Sequence, residues 1–161
     1  MSEWQPYVDD YMTKGGEGNM SMACIISYPD GALSATSGDF SPQDYTADTY
    51  NDAGEEIQIQ VSEINGLIES AGADWASAPS GGLRMNKKKY MWLGTGAEMV
   101  EDYGMEIKYA RAKQGANLSL CMCYSETAIL IGVADKSQGH AFDLAIKDMC
   151  DLAAYLKSTG Y

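Results

Sequence analysis

The sequence predicts an α/β chain in which helices cover both faces of an antiparallel sheet, and three observations carry that prediction. From Gly81 onward, short apolar runs are punctuated by glycine: GGLRM, KKYMWLGT, MEIKYARAK, NLSLCMCYS and AILIGVAD. This is the signature of an antiparallel meander. The last segment, HAFDLAIKDMCDLAAYLKSTGY, repeats apolar residues at Phe142, Ala145/Ile146, Met149, Leu152/Ala153 and Leu156, a stripe that predicts one long helix packed on the sheet. The opening stretch SEWQPYVDDYM spaces Trp4, Tyr7, Val8 and Tyr11 at i, i+3, i+4 and i+7, which predicts an amphipathic first helix.

Taken in chain order, Ser2 and Gln5 fit a capping box for that first helix, Pro6 is tolerable near its first turn, and Gly15 and Gly16 end it. Tyr11 is assigned to the core as part of the helix's apolar face. MACIISY, the turn Pro29-Asp30-Gly31 and ALSAT then read as a hairpin. The stretch from Ser41 to Asn51 is polar and irregular, with Ser41-Pro42 as a helix-start signal. In EEIQIQVSEINGLIES the first half alternates Ile57, Ile59, Val61 like a strand. Val61, Ile64, Leu67/Ile68 and Ala71 follow helical spacing over a longer span, and Gly72 supplies a stop, so the reading is a helix. In the meander, Leu118, Leu120, Met122 and Tyr124 share one strand face, with Ser119, Cys121 and Cys123 on the other. Together with AILIGV this makes the last two strands two-sided and central.

At 161 residues and 45% hydrophobic content, the chain suits one domain over 1–161. With 23 acidic against 11 basic residues, the net charge is -12, a field that repels phosphate backbones and anionic membranes, so no nucleic-acid partner is expected. The basic residues cluster in the middle of the chain, from Arg84 and Lys87–Lys89 to Lys108, Arg111 and Lys113, which leaves room for a local positive face. Without a basic-then-apolar leader or a membrane-length apolar run, the expected location is the cytoplasm. Cys24, Cys121, Cys123 and Cys150 lack metal spacing and read as reduced, structural thiols. No nucleotide-loop, zincin or nucleophile-elbow motif is present, and His140, the only histidine, is explained by capping or exposure at the start of the last helix. No catalytic residue, metal ligand or cofactor is assigned, and the chain is expected not to be an enzyme.

The order of these elements and three local motifs resemble profilin, the small actin-monomer-binding family. The matches are WQPYVDDYM to the family's W-x-x-Y-[VI]-D opening, GGLRMNKKKYMWL to its L-x-L-G-G-x-K-Y-M-V-I stretch, and AAYLKSTGY to its C-terminal end. The resemblance implies a profilin-like sheet with the N- and C-terminal helices side by side on one face and shorter helices on the other. It also implies a polyproline groove, in which Trp4, Tyr7, Tyr155 and Tyr161 match the family's aromatic positions. A polyproline II ligand suits such a groove, because it presents exposed rings and has little entropy left to lose.

The resemblance further implies an actin face, whose contact positions fall on Lys89, Lys108, Lys147 and Asp151. The implied partners are monomeric actin and proline-rich proteins such as formins, at the cytoskeleton, with the chain a monomer. Phosphoinositide binding is implied most weakly, since the acidity opposes it. The sequence departs from the family in three places. The chain is longer, with the excess assigned to 40–79; Asn86 and Lys87 replace paired glycines; and Ser34 in DGALSA stands where a second groove tryptophan is expected. The competing readings are a small ligand-sensing or trafficking scaffold of similar layout, and a thiol enzyme using Cys121 or Cys123.

Overall fold

Strand alternation and glycine punctuation set up the main sheet of the computed structural model, which describes residues 3–38, 40–79 and 82–161. In chain order the strands are β1 (Met22–Ser27), β2 (Leu33–Thr36), β3 (Asp44–Tyr50), β4 (Glu56–Ser62), β5 (Leu83–Met85), β6 (Lys88–Val100), β7 (Met105–Gln114), β8 (Leu118–Tyr124) and β9 (Ala128–Asp135). Seven of them form one antiparallel sheet in the order β2-β1-β9-β8-β7-β6-β5, and β3 and β4 pair separately as a hairpin. The expected meander runs from β5 to β9, and β8 and β9 are interior strands as read from the sequence.

Each face of the sheet has its own core. On one face Ile25, Ile107, Cys121, Cys123 and Leu130 meet Ala145, Met149, Ala153 and Leu156 of α2 (Phe142–Ser158), with Val8 and Met12 of the N-terminal helix beside them. On the other, Cys24, Ala110, Ala112, Leu120, Met122 and Ile131 meet Leu67 and Ala71 of α1 (Glu63–Gly72), Trp75 and Phe40. The terminal helices therefore share one face and one ten-residue helix covers the other. These strands are buried on both sides, which explains their unbroken apolar runs.

Three expectations need correction. The segment 55–72 is a strand followed by a helix, β4 and then α1. The Ile57-Ile59-Val61 alternation is satisfied by pairing with β3 through Tyr45↔Val61 and Thr49↔Ile57, and Ser62 caps the helix by accepting from the Asn65 amide. The stretch 41–51 is not irregular but supplies that partner strand, β3. The N-terminal helix spans Tyr7–Met12 with i→i+5 bonding, the Thr13 amide donating to Val8 O at 2.9 Å. Widening the turn moves burial to Val8 and Met12 and turns Tyr11 out, at 52% exposure, so Tyr11 is not core. Ser2 of the expected capping box lies outside the described residues. Gln5 donates to Asp9 Oδ1 (3.0 Å) and to the Thr36 carbonyl (2.8 Å), tying the N-terminus to β2.

Candidate functional site

The shared face of the two terminal helices brings together the aromatic residues that the sequence places at opposite ends of the chain. Trp4 lies 5.6 Å from Tyr7 and 5.4 Å from Tyr161 between ring centres, and Tyr7 lies 6.4 Å from Tyr155. All four aromatic residues of the expected groove are thus in one cluster. Glu3, Trp4, Tyr7 and Tyr161 line a small cleft. Burial and the neighbouring hydroxyls of Tyr155, Tyr161 and Tyr11 hold the Tyr7 phenol above its usual pKa, so it stays a neutral donor.

Tyr161 is held by its backbone as well as its ring. Its carbonyl oxygen accepts from the amides of Glu126 (2.9 Å) and Thr127 (2.6 Å) and from the hydroxyls of Ser125 (2.6 Å) and Thr127 (2.9 Å). These residues form the turn between β8 and β9, so the central sheet fixes where this ring stands. Ser34 sits on edge strand β2 with its hydroxyl 3.2 Å from that of Ser27, and Ser27 pairs with Ala128 beside Thr127. No aromatic ring occupies this corner at position 34.

Two tyrosines beyond the expected set extend the cluster. Tyr11 lies 6.0 Å from Tyr7, and Tyr103 lies 6.4 Å from Tyr155. Tyr103 stands on the turn between β6 and β7, which Gly104 closes in the left-handed region at φ 60°. Both are well exposed, Tyr103 at 41%. They line a cleft of about 370 Å³ with Lys14, Val100, Asp102, Asp148, Asp151, Leu152 and Tyr155. A signal for Tyr103 was available in the sequence, since an aromatic in an acidic, glycine-closed turn has no core to enter.

The basic set is not brought together in the same way. Lys108 of β7 alternates with Ile107 and Tyr109, which face α2, so it points to the α1 face, where it donates to Asp74 Oδ2 at 2.7 Å. Hydrogen bonding to Lys108 and then to Tyr124 holds the Asp74 carboxyl below its usual range. Lys147 and Asp151 form an i,i+4 pair on α2 at 3.1 Å, with Glu98 of β6 near the lysine. Lys89 is on the same sheet face as α2, because its neighbour Tyr90 is buried against α1's side. It nevertheless precedes Glu98 by nine residues of β6, up to about 30 Å of strand.

A carboxylate that the sequence reading passed over organises the β5–β6 turn near Lys89. Asn86 and Lys87 adopt φ of 55° and 65°, the left-handed conformation that paired glycines would take without cost. Buried Glu63, the first residue of α1, holds them there. Its Oε1 accepts from the Asn86 and Gln43 amides at 2.7 Å each, and its Oε2 from the Lys87 amide at 2.8 Å. Burial raises the Glu63 carboxyl above its ordinary pKa, and these three donors pull it part of the way back. The substitution of the glycines is thus compensated from another element.

All four cysteines are buried and unpaired in disulfides. Burial pushes the thiols of Cys24, Cys121 and Cys123 up, away from the reactive thiolate. His140 does not begin α2. Its Nδ1 accepts from the Asp135 amide at 3.0 Å, and α2 starts at Phe142. Among the described residues no group of three or more His, Cys, Asp or Glu side chains could hold a metal, and no helix is long and apolar enough to cross a membrane.

Comparison with known proteins matches this architecture along its length. Profilin IB of Acanthamoeba castellanii superimposes with a TM-score of 0.63 at 23% identity, covering 99% of this chain and 100% of that one. A Schizosaccharomyces pombe profilin gives 0.65 at 20% identity with the same coverage. Mouse profilin IIa, solved in complex with a double repeat from the FH1 domain of mDia1, gives 0.59 at 16% identity, again covering 99% and 100%. No curated protein sequence matches the chain. The sequence model of the profilin family matches residues 2–161, and the chain belongs to that family.

Proposed function

We propose that this protein binds monomeric actin and couples it to proline-rich partners such as formins, acting at the cytoskeleton by stoichiometric binding without chemistry. The observation that carries the reading is the convergence of Trp4, Tyr7, Tyr155 and Tyr161 on one exposed face. Flat rings at spacings of 5–6 Å with hydroxyl tips suit a polyproline II helix, which rises about 3.1 Å per residue and so passes one ring about every two residues. The mouse relative was solved in complex with a double repeat from the FH1 domain of mDia1, which supports a proline-rich partner. Actin binding rests on family membership. The face that carries it is built from α2 and β6, with Lys147 and Asp151 at one end and Lys89 at the other. A protein partner burying about 800 Å² per side reaches across such a distance. Lys108 stands apart on the other face, paired with Asp74.

Two titrations test the reading. A proline decamer should bind one to one by calorimetry, and excess protein should lengthen the lag of actin polymerisation. A protein that leaves the lag unchanged in large excess does not bind actin monomers in the way proposed.

A further inference from the structure

We infer that the aromatic groove continues past its first four rings into the cleft between the N-terminal helix, α2 and the β6–β7 turn, and that this extension selects proline-rich ligands flanked by lysine or arginine. The inference rests on the polyproline reading and names the partner's chemistry more narrowly. Tyr161, Trp4, Tyr7, Tyr155 and Tyr103 follow one another at 5.4, 5.6, 6.4 and 6.4 Å, a contour that matches at most about eight residues of a polyproline II helix at 3.1 Å each. Tyr103, Tyr155 and Tyr11 are 41%, 38% and 52% exposed, and so present their faces to a ligand rather than to the core.

At the Tyr103 end the lining turns acidic. Asp148 is paired with Lys14 at 3.0 Å and Asp151 with Lys147 at 3.1 Å, whereas Asp102 has no ion-pair partner among the described residues. Glu101 beside it is also exposed. A ligand that continued as neutral proline would gain nothing from the exposed Asp102 carboxylate, and an acidic ligand would be repelled. A basic side chain following the proline run supplies the opposite charge, on a chain whose net charge of -12 already draws cations towards it. The occupant is therefore a proline tract long enough to run from Trp4 to Tyr103, with lysine or arginine at the end that reaches Tyr103.

The test is a calorimetric comparison of a proline decamer, the same decamer carrying two arginines at either its N- or C-terminal end, and a proline pentamer, at low and at raised salt. One arginine-flanked decamer should bind about threefold or more tighter than the plain decamer, and the gain should vanish in salt and in Asp102→Asn. Tyr103→Ala should weaken the decamer and spare the pentamer, and Tyr103→Phe should restore it if the ring alone is used. Both positions are exposed, so circular dichroism of each variant should match wild type. If the plain decamer binds through Trp4 while neither arginine flank nor Tyr103→Ala changes anything, the extension is wrong and the groove stands. If no proline ligand binds at all, the parent reading fails with it.

Discussion

The aromatic face and the basic residues make an instructive pair, because both were assembled from motifs far apart in the chain and only one converges. Trp4 and Tyr7 reach Tyr155 and Tyr161 because the terminal helices lie on one sheet face, and the β8–β9 turn grips Tyr161 through four hydrogen bonds. Lys89, Lys108 and Lys147 are distributed over two faces and the length of β6, and two of them are already neutralised by Asp74 and Asp151. Aromatic residues are gathered by the same burial that packs the helices, so their neighbours follow from the fold. A lysine on a strand gains nothing from other lysines, and its position is set by strand parity alone.

The largest expected effect tests the converged region. Trp4→Ala removes the ring that joins Tyr7 to Tyr161, and truncation of an aromatic anchor costs about 2 kcal/mol or more, so proline-decamer affinity should fall about thirtyfold. Circular dichroism should remain native, since Trp4 is only half-buried. Equal decamer binding by wild type and a folded Trp4→Ala would remove the groove from this face.

Next in size is Glu63→Ala, which separates the regions from the other side. It leaves the amides of Gln43, Asn86 and Lys87 without their acceptor; an orphaned donor costs about 1–3 kcal/mol where water cannot reach it, and at these three part-buried bonds water replaces part of what is lost. A drop of about 2 kcal/mol in unfolding free energy is expected by denaturant titration, with proline binding unchanged. The pH dependence has a definite sign. Because the folded carboxyl titrates above its ordinary value, Glu63 supports folding best when protonated, and that support declines as pH rises through the folded value. Glu63→Gln should abolish this decline.

The same comparison explains what was legible in the sequence. The meander, α2 and the aromatic ends were readable because each rests on a repeated local pattern, with the family's motifs fixing their order. The segment 55–72 misled because its apolar residues satisfy a strand and a helix in succession, and the partner strand that decides the first half, β3, lacks apolar alternation and carries its strand preference only in Tyr45, Thr46, Thr49 and Tyr50. Tyr11 misled because an i→i+5 turn shifts the buried face to Val8 and Met12, and no residue type announces such a turn. Glu63 was invisible as a turn-holder, since its partners Asn86 and Lys87 are more than twenty residues away.

A smaller effect sharpens the reading of the unconverged region. Lys147→Glu puts a like charge beside Asp151 and Glu98 on the α2 face and should weaken actin binding about fivefold, mainly by slowing association and with strong salt dependence. Lys108→Glu lies on the α1 face and should change actin affinity by less than about twofold while costing its exposed pair with Asp74, a contact of small worth. Equal losses from both variants, measured by the polymerisation lag, would mean that actin contacts both faces of β6 and β7 and that strand parity does not decide the footprint.

The smallest effect tests whether the groove tolerates completion. Ser34→Trp places an indole on the exposed edge strand β2, beside the Ser27–Ala128 pair that leads to the turn holding Tyr161. Two opposed terms set the outcome. A further ring near Tyr161 adds a stacking surface for the ligand, a gain in binding. Losing the Ser34–Ser27 hydrogen bond and crowding a half-buried site lowers stability by about 1 kcal/mol. The first term acts on the complex and the second on the free and bound protein alike, so they separate in experiment. Decamer affinity should rise about threefold while the unfolding midpoint falls slightly. The gain should persist in Tyr103→Ala, because positions 34 and 103 stand at opposite ends of the ring track. Loss of the gain in that double variant would show that the new ring acts by redirecting the ligand along the groove rather than by lengthening it at the Tyr161 end.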